Sequence, residues 1–360
     1  MSQKILMKGN EAVAEAAIRA GCRLYFAYPI TPQSELIEYM AKMMPKVNGT
    51  FLQAESEVSA INMVYGAAGC GKRVMTSSSS PGISLKMEGI SYLAGAELPS
   101  VIINVQRGGP GLGDIQPAQG DYFQATKGGG HGDYRLIVLA PNSVQEFADM
   151  ASEAFDLADK YRNPVMILSD GLLGQMMEPV SFKESKTDEE IEELGKQHYE
   201  WCMHPNTGYT ERHHNEINSL EIDPNVLEQH VLELEKKYKL IEQNEIKYEE
   251  YKVSDDNEIL CVAFGISSRV VKSAINELEK EGHSIGLVRP ITVWPYPYEA
   301  IAKAIGPKVK KVIVFELNLG QMVEDVRLAV NGKVPVDFMG KVGGIVFTPA
   351  EVKEKIEESL

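Results

Sequence analysis

The sequence predicts an α/β protein of two parallel-sheet domains joined by an acidic helical connector. Three observations predict it. Apolar runs of strand length at 101–105, 136–140 and 165–169 carry no polar alternation, the pattern of strands covered on both faces and hence of a parallel sheet. Segments with helical spacing alternate with these runs, which marks α/β architecture. At 360 residues, the chain also exceeds what one hydrophobic core usually supports.

The elements follow in order. Residues 10–20 have apolar side chains at helical spacing and stop at Gly21. A short strand at 24–27 ends at Tyr28-Pro29. The segment 33–44 is helical, with Thr31 placed to cap it and Pro32 at its first position. A helix at 55–68 and a strand at 73–77 come next. From 183 to 257 the chain is dense in Glu and Lys, has a helical stretch at 226–240 and shows no strand run of comparable quality. This reads as a solvated helical connector. A second α/β pattern starts at 258, with strands at 259–264, 285–289 and 309–315, helices at 268–279 and 299–305, and a Pro-rich turn at 290–297. The expected domains are therefore 1–182, 183–257 and 258–360.

Composition narrows the function. A net charge of -15 argues against general affinity for nucleic acid or anionic membranes, which reward clustered cations. No apolar run approaches the length of a membrane helix, and residues 1–9 show no secretory pattern. Cys22, Cys70, Cys202 and Cys261 are far apart, with neither CxxC nor iron–sulfur spacing. Free thiols, a cytoplasmic location and no cluster on this chain are expected.

In an open parallel sheet, ligands bind beyond the carboxyl ends of the strands. Three loops leave strands there. In Tyr28-Pro29-Ile30-Thr31-Pro32, two prolines stiffen the backbone that presents the Thr31 hydroxyl; capping the next helix is its plainer role. Ser77-Ser78-Ser79-Ser80-Pro81-Gly82 offers four hydroxyls before a Pro-Gly turn, a weak motif. In Arg107-Gly108-Gly109-Pro110-Gly111-Leu112-Gly113-Asp114, an arginine fork suits a carboxylate, and an ion pair with Asp114 is the structural alternative. Glu57, near the start of an apolar helix, is a candidate buried carboxyl able to donate a hydrogen bond to a ring nitrogen; Glu55 should face solvent. His131 reads as a loop histidine satisfied by its neighbours before it reads as a proton donor. His213-His214 lacks ligand partners at metal spacing.

The strings YPITPQSE (28–35), QAESEVSAINMVYGAA (53–68), SSSSPGISL (77–85), NVQRGGPGLGDIQPAQGDYFQATKGGGHGDYR (104–135), YRNPVMILSDGLLGQMMEP (161–179), ILCVAFGISSRVVKSAI (259–275) and VRPITVWPYP (288–297) resemble the α subunit of 2-oxoacid:ferredoxin oxidoreductases. The branched-chain (2-oxoisovalerate) type is nearest and the 2-oxoglutarate type next. The resemblance implies a thiamine-diphosphate pyrimidine-binding domain followed by a transketolase C-terminal-like domain. It implies a reaction in which a 2-oxoacid, coenzyme A and oxidised ferredoxin give acyl-CoA, carbon dioxide and reduced ferredoxin. By the same resemblance Glu57 contacts the aminopyrimidine of thiamine diphosphate as the catalytic carboxyl, while Thr31 and Arg107 bind the substrate.

The GDG motif with a downstream Asn that normally holds Mg²⁺ and diphosphate is missing. Ser169-Asp170-Gly171 is the nearest approach. No metal site is expected on this chain. Mg²⁺ and 4Fe-4S clusters are expected on partners: a diphosphate-binding β subunit and a ferredoxin-like cluster subunit, with ferredoxin as acceptor. The competing readings are a self-contained thiamine enzyme and a non-catalytic α/β module that binds small carboxylates through Arg107.

Overall fold

The computed structural model describes residues 4–203 and 215–360. His213-His214 lies outside them. The strands are β1 (Ile5–Lys8), β2 (Leu24–Ala27), β3 (Thr50–Gln53), β4 (Val74–Ser78), β5 (Ser100–Gln106), β6 (Ile137–Leu139) and β7 (Pro164–Asp170). They continue with β8 (Met177–Val180), β9 (Tyr248–Tyr251), β10 (Ile259–Ala263), β11 (Ile285–Pro290), β12 (Thr292–Trp294), β13 (Lys311–Glu316) and β14 (Val336–Gly340). A seven-stranded sheet runs β12-β6-β7-β5-β4-β2-β3 and a five-stranded one β14-β13-β10-β11-β9, while β1 pairs with β8. The two main sheets are parallel except for β12 and β9 at their edges. The expected α/β architecture is therefore observed.

Every residue of β4, β5, β7, β10 and β11 is buried, as runs without polar alternation require. Along β10 the side chains alternate between two cores. Leu260 and Val262 join a large cluster shared with the first sheet, and Ile259, Cys261 and Ala263 join a smaller one with Phe347 and Ile356, following the two-residue period of a strand.

Four helices position the candidate residues: α1 (Gly9–Arg19), α2 (Ser34–Met43), α3 (Glu57–Gly69) and α4 (Ser80–Gly95). Several expectations need correction. The α2 helix starts later than its Pro-based reading, with Gln33 at the N-cap, so Thr31 stands outside the helix and does not cap it. The segment 77–82 is no turn. It is the end of β4 and the start of α4, with Pro81 in the first helical turn, where its missing N–H costs nothing.

The 183–257 connector does contain a strand. β9, with the polar sequence YEEY, pairs antiparallel with β11; half-exposed at a sheet edge, it carries no apolar run to read. The Pro-rich 290–297 segment likewise holds β12, which crosses to the first sheet and pairs with β6. The second half of the chain thus completes the sheet of the first.

Candidate active site

In the first sheet, β2 leads outward to β3 on one side, whereas β4 and β5 lie on the other. The crevice between the carboxyl ends of β2 and β4 is therefore a topological switch point, where open α/β sheets bind ligands. The loop after β2 carries Thr31, β4 runs into α4, and β5 ends at Arg107. α3 crosses back over β2 and β4, bringing Glu57 to the same rim.

Arg107 is buried, at 8% exposure. Its Nη1 donates to the Thr31 carbonyl at 3.0 Å and its Nη2 to the Leu112 carbonyl at 2.9 Å. The backbone N–H donates to Ser80 Oγ at 3.1 Å, and Nε is buried without a partner. The expected alternative, an ion pair with Asp114, does not form. Asp114 instead accepts from the Gln116 N–H at 2.8 Å and folds back over Gly108, where a Cβ would lie 2.5 Å from Asp114 Oδ1. Among the described residues no carboxylate pairs with Arg107. A guanidinium held by two carbonyls, with an orphaned N–H in low dielectric, is short of an anion.

Thr31 is exposed and its carbonyl is spent on Arg107. Glu57 opens α3 behind the N-cap Ser56, which accepts from the Ser59 N–H at 3.2 Å. It is 6% exposed. A Cβ on Gly82 would lie 2.7 Å from Glu57 Oε1 and 2.1 Å from Ser78 Oγ, so glycine is what lets α4 close on both. Ser78 Oγ and Ser79 Oγ are buried without partners. Glu55 is exposed, as expected, and accepts from Ser59 Oγ.

A cleft of about 850 Å³ opens beside Arg107. The first domain contributes Ser80, Pro81, Gly108 and Asp121, and the second contributes Leu317, Leu319 and Val342. Gln119 fixes the two walls. Its amide donates to the Phe264 carbonyl at 2.9 Å and accepts from Ser267 Oγ at 2.8 Å and the Leu317 N–H at 3.0 Å.

Sequence reading missed two ionisable groups here, the half-buried Asp121 and the buried Lys86. Burial raises the Asp121 carboxyl above its ordinary range, although Ser80 Oγ donates to it at 2.6 Å and Asn104 Nδ2 at 2.8 Å. Lys86 is fully buried on α4, and burial lowers its amine to about 7 against the opposing charge of Glu57. Neither stands out in a sequence, where Asp and Lys default to solvent.

Other candidates lie elsewhere. Asp170 is the N-cap of the helix Gly171–Gln175, accepting from the Leu172 and Leu173 N–H groups at 2.9 and 3.1 Å. His131 is exposed beside Tyr92 and Gly95, roughly 20 Å along α4 from Gly82 at helical rise. Met63 is half-buried on α3, and neither it nor Leu112 lines the cleft. Among the described residues, no group of three or more His, Cys, Asp or Glu is arranged to hold a metal.

Residues 15–256 match the family of pyruvate flavodoxin/ferredoxin oxidoreductases, thiamine-diphosphate-binding, and residues 257–352 match core domain II of pyruvate:ferredoxin oxidoreductase. The chain belongs to the 2-oxoacid:ferredoxin oxidoreductase family. Within this family, it is 51% identical over 353 residues to the ketoisovalerate oxidoreductase subunit VorB of Methanothermobacter thermautotrophicus, covering 98% of this chain and 97% of that protein. It is 36% identical to the 2-oxoglutarate synthase subunit KorA of Methanocaldococcus jannaschii, covering 97% and 98%. Among solved structures, the 2-oxoglutarate:ferredoxin oxidoreductase from Magnetococcus marinus, with 2-oxoglutarate, coenzyme A and succinyl-CoA bound, superposes with a TM-score of 0.84 at 31% identity. That likeness covers 99% of this chain and 65% of the other. A split-gene transketolase, at 14% identity and a TM-score of 0.58, shares the fold.

Proposed function

We propose that this chain is the α subunit of a 2-oxoacid:ferredoxin oxidoreductase that converts a branched-chain 2-oxoacid, with coenzyme A, to acyl-CoA and carbon dioxide. The observation that carries the site assignment is Arg107: a buried cation without a carboxylate, tied to the Thr31 carbonyl at the crevice. It binds the substrate carboxylate, and the exposed Thr31 side chain lies beside the keto group.

Glu57 takes the aminopyrimidine end of thiamine diphosphate. The fit is supported by its burial, by the unpartnered Ser78 and Ser79 hydroxyls, and by the space that Gly82 leaves. When bound, the cofactor supplies the electron sink for decarboxylation. Glu57 holds and returns a proton at the ring nitrogen, which is general acid–base work. Arg107 orients the carboxylate that departs.

Asp170, the nearest approach to a diphosphate motif, is spent as a helix cap, and no acidic cluster stands out among the described residues. A β subunit supplies Mg²⁺ and completes the site, and 4Fe-4S clusters on partner subunits pass electrons to ferredoxin. No helix among the described residues is long and apolar enough to cross a membrane; Cys22, Cys202 and Cys261 are buried and form no disulfide, which supports a proposed place in the reducing cytoplasm.

The cleft supports the branched-chain reading. Its lining holds one cation, Arg107, beside Pro81, Leu85, Leu317, Leu319 and Val342. A second substrate carboxylate finds no further cation among the described residues lining the cleft, whereas a branched aliphatic side chain finds apolar ones. The test is anaerobic viologen reduction by the complex purified with its native partners, given thiamine diphosphate, Mg²⁺ and coenzyme A. Reduction should be fastest with 2-oxoisovalerate. Preference for 2-oxoglutarate would overturn the substrate class, and no reduction by an intact complex would overturn the activity.

A further inference from the structure

The pairing of β5 with β4 ends at Asn104 and its pairing with β7 ends at Gln106. Arg107, one residue on, lies outside both, and its N–H donates to Ser80 Oγ at 3.1 Å. Ser80 is the first residue of α4, where N–H groups lack partners within the helix; its own N–H finds Asn104 Oδ1 at 3.2 Å. A serine hydroxyl has one proton to give. Asp121 Oδ2 takes it at 2.6 Å, whereas the Arg107 carbonyl stands off at 3.4 Å. A carboxylate only accepts, so Asp121 turns the Ser80 proton toward itself and an oxygen lone pair toward the Arg107 N–H.

Asp121 is fixed in turn by both domains. Asn104 and Gln106 point to one face of β5 and are wholly buried polar groups that need partners. Asn104 Nδ2 donates to Asp121 Oδ2 at 2.8 Å, and Gln106 Oε1 accepts from the Asp121 N–H at 3.1 Å. On either side of Asp121, the second domain's Gln321 grips the chain. Its Nε2 donates to the Gly120 carbonyl and its Oε1 accepts from the Phe123 N–H, each at 2.7 Å.

We propose that Asp121 is a positioning residue that acts through Ser80 on Arg107. It sets the direction of the Ser80 hydroxyl, and with it the backbone from which the Arg107 guanidinium reaches the substrate carboxylate. This rests on the role of Arg107 proposed above.

The test is a double-mutant cycle in the complex assembled with its native partners, read by anaerobic viologen reduction with the 2-oxoacid it turns over fastest. Asp121→Ala should lower kcat/KM for the 2-oxoacid about tenfold, the size expected for one hydrogen bond to a charged group. The loss should fall mainly in KM, and the thiamine-diphosphate concentration for half-maximal rate should stay as in the wild type. In an Arg107→Met background Asp121→Ala should cost nothing further, because the side chain it positions is gone. Asp121→Asn, whose Oδ1 can accept both bonds, should recover most of the loss. If Asp121→Ala does not assemble, Ser80→Ala removes the same link and takes its place in the cycle. Losses that add in the double variant, an equal weakening of thiamine-diphosphate binding, or an Asn variant no better than Ala overturn the proposal. If Arg107→Met leaves kcat/KM unchanged, the role of Arg107 itself falls, and this proposal with it.

Discussion

At the residue scale, Arg107 and Gly82 each have a test that separates the proposed role from packing. Arg107→Met should lower kcat/KM for the 2-oxoacid by about a hundredfold, the loss of about 3 kcal/mol expected for a charged hydrogen bond. Steady-state viologen reduction measures it. Arg107→Lys should recover only part, because an ammonium cannot bind two carbonyls and a carboxylate in one plane. Gly82→Ala should abolish cofactor binding and activity, since its Cβ would strike Ser78 Oγ and Glu57 Oε1. Gly66, exposed on α3 with nothing within 4 Å of its Cβ direction, is the control. Gly66→Ala should leave turnover intact and raise stability by about 0.5–1 kcal/mol in urea unfolding. Glu57, Thr31 and Arg107 are proposed from the resemblance in the sequence, and their tests lie in these variants. The burial of Lys86 was not legible there, because a lysine within an apolar helix betrays it only once α3 is laid against it.

At the scale of elements, Asp170 shows how one residue serves a fold instead of a metal. Burial lifts its carboxyl to about 6 although two N–H groups donate to it. The folded state therefore binds a proton more tightly than the unfolded chain, whose value is near 4. The sign follows: this group's contribution is fully present below about pH 4 and is lost as pH rises through about 6. Asp170→Asn keeps the cap without the charge, so its stability relative to wild type should increase across that window, read by denaturant unfolding at several pH values. Asp170→Ala should cost about 1–2 kcal/mol at neutral pH. β2 was legible with its observed bounds, being apolar between a glycine stop and a proline. β3 and β9 were not, because short edge strands with exposed polar residues have no period to detect, and β12, though buried, is only three residues long inside a proline-rich segment.

The whole molecule is held together by exchanges between its halves. β12 completes the first sheet, one apolar cluster takes in Val105, Phe264, Trp294 and Val314, and buried Arg289 on β11 donates two hydrogen bonds of 2.7 Å to Glu146 and forms an ion pair with Glu249, 2.9 Å from its Nε. Unfolding should therefore be one transition, with tryptophan fluorescence and far-ultraviolet circular dichroism coinciding. Two separated transitions would show that the halves are independent. Arg289→Met should cost about 2–3 kcal/mol in the same experiment, less than a wholly buried pair because both glutamates keep about a third of their surface. Residues 258–360 expressed alone should be insoluble, since they lack β9 and leave β12 without β6.

The sequence by itself determined the architecture, and the family resemblance in it is what proposes Glu57, Thr31 and Arg107 as site residues. Strand runs buried on both faces and long strings of low degeneracy are local properties of the chain. What only the tertiary structure decided is what those residues touch. Arg107 holds the Thr31 carbonyl and not Asp114, Lys86 lies in the electrostatic reach of Glu57, and the second domain walls the cleft. Burial, and with it the strength of every charge in the site, is set by surfaces that meet only when distant segments pack, which no local pattern encodes.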